Sequence, residues 1–186
     1  MGKRKPENIT LGSGKVYAAE YDPANGIPAH TDICKAENEL GKIQGGAEIS
    51  YTAETHEEKD DLGTVTKVIT TTEEALMKLG LLTWNGNTLA KLADRCKVTE
   101  DPEKGLRTIH IGGAGNAQGK EWVVCFFHED KKDGNLWVII RGVNTAGFTL
   151  TFAMDAGTKI EPEFKALPQD DDGTLITVIE EIGAAA

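Results

Sequence analysis

From Thr108 to Ile179 the chain repeats one arrangement: a short β-branched or aromatic run, then a turn rich in Gly, Asp or Asn. The runs are Thr108–Ile111, Trp122–His128, Leu136–Arg141, Phe148–Ala153, Ile160–Leu167 and Thr174–Ile179. In Phe148, Leu150 and Phe152 the apolar residues alternate with Thr149 and Thr151, the signature of a strand with one buried face. Strands this short, spaced at roughly 8–12 residues, pack as a β-sandwich or barrel, because each can bury only one face.

The first half supplies the rest of that sheet. Lys15–Glu20 reads as a short strand, and 22–38, with Asp22-Pro23, Asn25-Gly26 and Pro28, as a loop. Ala47, Ile49 and Tyr51 alternate with Glu48, Ser50, Thr52 and Glu54, which predicts a half-buried strand with one polar face. Residues 55–63 are charged and 64–72 are Thr- and Val-rich, a composition that favours strand over helix. Together they predict a long hairpin with arms that outrun the core and a tip near Asp60–Gly63. Glu73–Leu82 fits two readings: Ala75, Leu76, Leu79 and Leu82 have helical spacing, while Gly80 interrupts it. One good helix follows in TWNGNTLAKLAD, capped by Thr83, Asn85 or Asn87, with Leu89, Leu92 and Ala93 on one face and Trp84 stapling its start to a sheet. The domain plan is an N-terminal arm over 1–14, one β domain over 15–182 with a hairpin tip at 55–66, and a short tail at 183–186.

The formal charge of -10, from 30 acidic and 20 basic residues, argues against a chain that grips nucleic acid through its phosphates. Cys34, Cys96 and Cys125 are three in number and widely spaced, with no CxxC, which predicts free thiols in a reducing compartment. The polar start predicts no secretion signal, and no run approaches the ~20 apolar residues of a membrane helix.

Several stretches evoke chemistry and then fail its requirements. Asp170-Asp171-Asp172-Gly173 lacks the alternating ligands of a calcium loop and fits a hairpin turn. GSGK at 12–15 lacks the outer glycine and the following Ser or Thr of a phosphate loop. HIGGAGNAQGK is followed by the strand-like KEWVVCFF, not by a helix whose N-terminus would hold a phosphate, and reads as a wide hairpin loop. His30, His56, His110 and His128 form no metal-ligand spacing. These readings predict no catalytic residue, no metal and no cofactor.

Six stretches, taken in order, resemble the tail tube proteins (major tail proteins) of long-tailed bacteriophages. They are LGKIQGGAEISYTAE at 40–54, DDLG at 60–63, GLLTWNGNTLAKL at 80–92, IGGAGN at 111–116, GVNTAGFTLTFA at 142–153 and EFKALPQDDDGTL at 163–175. The resemblance spans 11–180. It implies a mainly β sandwich or barrel flanked by one α-helix with a long extended hairpin, the tail tube fold. It further implies a non-enzymatic virion protein, assembled in the bacterial cytoplasm, whose six-fold rings stack into a conduit for DNA ejection. The implied partners are other copies of the chain and the tail tip or baseplate, tape measure and tail terminator proteins. DNA would cross the lumen without specific binding, and no membrane anchor is expected. On this reading Glu48, Ser50, Thr52 and Glu54 are lumen-facing candidates, and Glu57, Glu58, Asp60, Asp61, Leu62 and Gly63 form the ring-stacking loop. The alternatives are a soluble ligand- or carbohydrate-binding β-sandwich, for which an exposed Trp122 or Trp137 would be the platform, and a β enzyme with a converging carboxylate pair.

Overall fold

The computed structural model describes residues 10, 12–64, 66–155 and 157–182. Most of the expected arm at 1–14 and the tail at 183–186 therefore lie outside the described residues. Ten strands run in the order β1 (Lys15–Glu20), β2 (Glu39–Gly41), β3 (Ile43–Lys59), β4 (Thr66–Leu81), β5 (Cys96–Asp101), β6 (Leu106–Ile111), β7 (Trp122–His128), β8 (Leu136–Asn144), β9 (Glu163–Leu167) and β10 (Thr177–Glu180). Two short helices, α1 (His30–Ile33) and α2 (Gly86–Leu92), interrupt them.

The large sheet has the order β2-β1-β7-β8-β9-β4-β3, with β10 also on β8, and every pairing in it is antiparallel. Its two end strands, β2 and β3, are consecutive in the chain and separated only by Lys42. One stretch of chain thus pairs with β1, turns at Gly41-Lys42, and then pairs with β4. The Lys42 carbonyl accepts from Leu82 N–H at 2.8 Å and its own N–H donates to Thr83 Oγ1 at 2.8 Å, which ties the corner to the end of β4. The sheet curls so that one face of nearly every strand points to a shared interior.

Side-chain alternation sorts the core into two layers. Val16, Ala18, Leu40, Ala75, Met77, Leu79, Leu81, Val124, Val138, Ile140, Phe164 and Ala166 fill the interior, joined by Leu89 and Leu92 of α2. Their neighbours in sequence, Tyr17, Val123, Cys125 and Ile139, point outward and are covered by Ile33 of α1. The segment at 22–38 is therefore more than the expected loop. It carries α1 and a 3-10 turn at Ala36–Asn38, held because Ile33 is fully buried against the wall.

Helix α2 is too short to be stable alone and is fixed at both ends. Asn85 Oδ1 accepts from Asn87 N–H and Thr88 N–H at 2.8 and 3.1 Å, and Thr88 Oγ1 accepts from Asn85 N–H at 3.2 Å. The same Thr88 hydroxyl donates to the Leu40 carbonyl at 3.0 Å, so the capping box also moors the helix to β2. Trp84, just before the cap, packs on the interior cluster with Leu89, as the staple reading expects. At the far end the Gln118 side-chain amide donates to the Ala90 and Ala93 carbonyls. Replacing Asn85 by Ala should lower stability by about 1 kcal/mol, and Asn85→Gly by only a few tenths, measured by urea denaturation.

Several expectations are corrected by pairing that local sequence does not encode. Glu73–Leu82 is strand up to Leu81: Ala75, Met77, Leu79 and Leu81 are buried at period two, which overrides the helical spacing of the leucines. Phe148–Ala153 is not a strand. Phe148 and Leu150 pack on the interior, but β9 and β10 already occupy that edge of β8 and no ladder partner remains. Strand β5 has no counterpart in the sequence reading; it pairs with β6 in a separate two-stranded sheet beside α2. The Gly113–Gly119 stretch is a crossover between the two sheets, with a 3-10 turn at Ala114–Asn116, and not a hairpin loop.

The Asp170–Gly173 turn also has a different setting from the one expected. Gly173 N–H donates to the Asp170 carbonyl at 3.1 Å, and Thr174 N–H to Asp170 Oδ1 at 2.9 Å. The Thr174 N–H, with the Thr174 side chain behind it, holds the Asp170 carboxyl below the usual carboxylate range. The turn does not join paired strands, because β9 and β10 both lie along β8, at Arg141–Asn144 and Leu136–Ile139. The intervening residues are an excursion from one edge. Buried Gln169 pins its base by donating to the Ile139 and Leu175 carbonyls at 3.1 and 2.9 Å.

Candidate assembly surface

Strand β3 carries a bulge near its start. The register passes from Ile43↔Leu81 to Ala47↔Leu79, so Gln44-Gly45-Gly46 are accommodated opposite Gly80. Gly45 and Gly46 sit at φ 89° and 83°, a region that β-branched residues avoid. A side chain at Gly80 would fall 2.3 Å from the Gln44 carbonyl oxygen, so the crossing is a close backbone approach.

Beyond the bulge, Ala47, Ile49 and Tyr51 lie opposite Leu79, Met77 and Ala75 and share the interior face. Tyr51 marks where that interior ends: it is 55 % exposed, and its hydroxyl donates to the Glu73 carboxylate. From Tyr51 through Glu73 every residue with a described side chain is exposed. At about 3.4 Å per residue the arm from Thr52 to Lys59 projects by roughly 25 Å past the core. The expected tip is in place. Gly63 N–H donates to the Asp60 carbonyl at 2.9 Å, Gly63 takes φ 66°, and Thr64 Oγ1 donates to Asp60 Oδ2 at 2.6 Å.

All six tip candidates are exposed: Glu57, Glu58, Asp60, Asp61, Leu62 and Gly63, with Leu62 at 85 %. A second irregularity lies between Glu54↔Thr72 and Thr55↔Thr70, where Thr71 is the extra residue and its hydroxyl donates to the Glu54 carbonyl. Past it one face of the arm carries the ion pair Glu57–Lys59 at 2.9 Å and the other a hydrogen bond between His56 Nε2 and Glu58 Oε1 at 3.0 Å. Val68 and Ile69 remain 55 % and 48 % exposed.

The polar face takes its composition from three strands. Glu48, Ser50, Thr52 and Glu54 alternate away from the interior, as expected, with Lys78, Leu76, Glu74 and Thr72 opposite them. Strand β9 adds Glu163 and Lys165, and two ion pairs join it to β4: Lys165–Glu74 at 2.5 Å on the diagonal and Lys78–Glu163 at 3.2 Å directly opposite. The two lysines are thereby matched, and the surplus negative charge of this face belongs to Glu48 and Glu54, which have no ion pair among the described residues. The Glu54 carboxylate accepts from Thr72 Oγ1 at 3.0 Å. The β9 contribution is invisible to sequence reading because it depends on which strand lies beside β4.

Among the described residues, no strand lies along the outer edge of β3. A long edge with unpaired N–H and C=O groups is a template for pairing with another chain. A two-stranded arm with no third strand is also marginal by itself in water.

The tryptophans that a binding platform would use are engaged elsewhere. The Trp137 ring stacks on Phe127 at 5.2 Å and meets His30 at 4.6 Å. The Lys91 ammonium sits 5.5 Å from the Trp122 ring centre and donates to the Ala18 carbonyl at 2.7 Å; burial pushes this lysine below its usual range. His128, read as structural, is buried and bonds the Ser13 carbonyl through Nδ1 at 2.9 Å.

These features define a mainly β protein built on one large antiparallel sheet with few helices. No helix among the described residues is long and apolar enough to cross a membrane. No family model matches the chain, and no curated protein matches it.

Proposed function

We propose that this chain is a structural subunit that closes into rings, and that the rings stack into a phage tail tube through which DNA leaves the capsid. The observation that carries this reading is the β3–β4 arm. It extends past the core, is exposed along its length, and has no strand on its outer edge among the described residues. An arm of this kind gains stability only when another surface covers it. A neighbouring copy laid along β3 satisfies its edge by strand addition, and a head-to-tail interface of that type closes by rotation. The tip at Asp60–Gly63 then reaches the next ring. The resemblance of the six sequence stretches to tail tube proteins supports the same assignment, and so does the acidic charge of the chain.

In such a tube the face of Glu48, Ser50, Thr52 and Glu54 lines the lumen, and its surplus carboxylates repel phosphates so that DNA passes without adhering. Negative-stain electron microscopy of the concentrated protein, with mass from light scattering, tests the assembly. Rings or hollow tubes are expected. A species that stays monomeric even when tail-tip complexes are supplied as templates would count against it.

Charge reversal tests the lumen assignment separately. Tubes of the Glu48→Lys, Glu54→Lys variant should assemble normally but retain DNA at low salt and release it as salt rises, measured by co-sedimentation. Unchanged DNA passage would place this face elsewhere than the lumen.

A further inference from the structure

Two of the three cysteines meet in the outer layer. Cys34 closes the C-terminal end of α1, and Cys125 lies on β7, yet their sulfurs are 3.7 Å apart. Cys125 is fully buried in the cluster of Tyr17, Val123, Ile139 and Ile33, and Cys34 is half-buried at its rim. Cys96 is buried on β5, outside that cluster, and serves as an internal control. We propose that Cys34 and Cys125 form a redox-sensitive site that takes a small-molecule disulfide as oxidant and closes to a bridge stapling the 22–38 segment to strand β7 of the large sheet.

The two sulfurs have unequal roles. The hydrogen bond with Cys125, together with the Trp137 indole, holds the Cys34 thiol below its usual range despite partial burial. The hydrogen bond with Cys34, reinforced by burial, pushes the Cys125 thiol up. Cys34, which is both nearer solvent and more readily ionised, is the attacking group. Its thiolate attacks one sulfur of an oxidant RSSR, breaking that S–S bond and releasing RS⁻, and leaves Cys34 joined to the other RS group. Cys125 attacks the Cys34 sulfur and expels the second RS⁻, which takes up the Cys125 proton as it leaves. In sum, two protein thiols and RSSR give one bridge and two RSH. Two electrons move from the protein to the oxidant. The sulfurs close from 3.7 Å to about 2.0 Å, a shift that the half-buried end of α1 absorbs more readily than β7.

The consequence is mechanical. The outer layer is a small cluster, and α1 spans only four residues, so its hold on the wall is the weaker of the two cores. A bridge between positions 34 and 125 restrains a long loop of the unfolded chain. The pair stays reduced in a cytosol and closes once the protein meets an oxidising medium. This inference rests on the thiol geometry and stands apart from ring or tube formation.

Treating the native, reduced protein with oxidised glutathione tests it. Thiol titration should fall from three groups to one, with Cys96 the survivor. The mass should drop by two hydrogens, and non-reducing peptide mapping should recover Cys34 joined to Cys125. The melting temperature should rise by on the order of 10 °C, reversibly with dithiothreitol. Cys34→Ala, a change at the half-buried partner, should leave Cys125 and Cys96 unmodified, while Cys125→Ser should hold a lasting glutathione on Cys34. The proposal is overturned if oxidised wild type keeps all three thiols, retains glutathione on Cys34 without bridging, or bridges only after denaturation.

Discussion

A variant lacking Thr55–Thr71, with Asn-Gly joining Glu54 to its cross-strand partner Thr72, should fold normally and lose the ability to stack. Among the residues removed, those with described side chains belong to neither buried cluster and are exposed. Changes confined to such surface move stability by little, so the melting temperature should stay within about 2 °C of the parent. The Asn-Gly pair supplies the positive φ at both central positions of a tight turn, so the shortened strands can still close. The loss should appear only in assembly, as isolated rings or unassembled subunits in electron micrographs where the parent gives tubes. The smaller deletion of Asp60–Gly63 removes Leu62 and the tip acids while leaving both arms, and separates contact by the tip from pairing along β3. Normal tubes from the long deletion would remove the arm from the assembly surface altogether, whatever the subunit's other contacts.

The second large effect is on the fold. Phe164→Ala should cost about 3–5 kcal/mol, the range for deleting a buried aromatic ring. Phe164 is fully buried, and it lies on β9, the strand that joins β8 to β4. Its loss empties the interior at the point where the two halves of the sheet meet. Phe164→Leu, which keeps most of the volume, should recover more than half of the loss. The cost should be read as a shift in the urea midpoint with an unchanged slope, because a changed slope would signal partial opening of the sheet. A cost under about 1 kcal/mol would mean that the interior collapses around the cavity and that β9 is not the joint it resembles.

Period-two alternation made the polar and apolar faces of β3 legible from Ala47 to Glu54, and charge followed by β-branched residues made the hairpin and its tip legible. Both signals are local: each needs only that one face be buried or that a turn be tolerated. The Asn85 cap was legible for the same reason, since its partners are two and three residues away. Alternation misled at Phe148–Ala153, where Phe148 and Leu150 pack inward but Phe152 is exposed and β8 has no edge left to offer. Leucine spacing left Glu73–Leu82 open because its residues satisfy either period until a neighbouring strand selects one. Cys34 and Cys125 are 91 positions apart, and no spacing rule brings them together.

By itself, then, the chain determined its strand-rich class, its long polar arm with a turn at Asp60–Gly63, its one well-capped helix and the division of β3 into two faces. Those features follow from backbone preference and from side-chain period. Only the tertiary structure decided that β2 and β3 close the two ends of one sheet, that β9 and β10 share a single edge of β8, that Lys78 and Lys165 are matched while Glu48 and Glu54 are not, and that two distant thiols meet. Each of these depends on which strand lies beside which. In an antiparallel sheet that choice is made by packing among residues far apart in sequence, and local chemistry places no constraint on it.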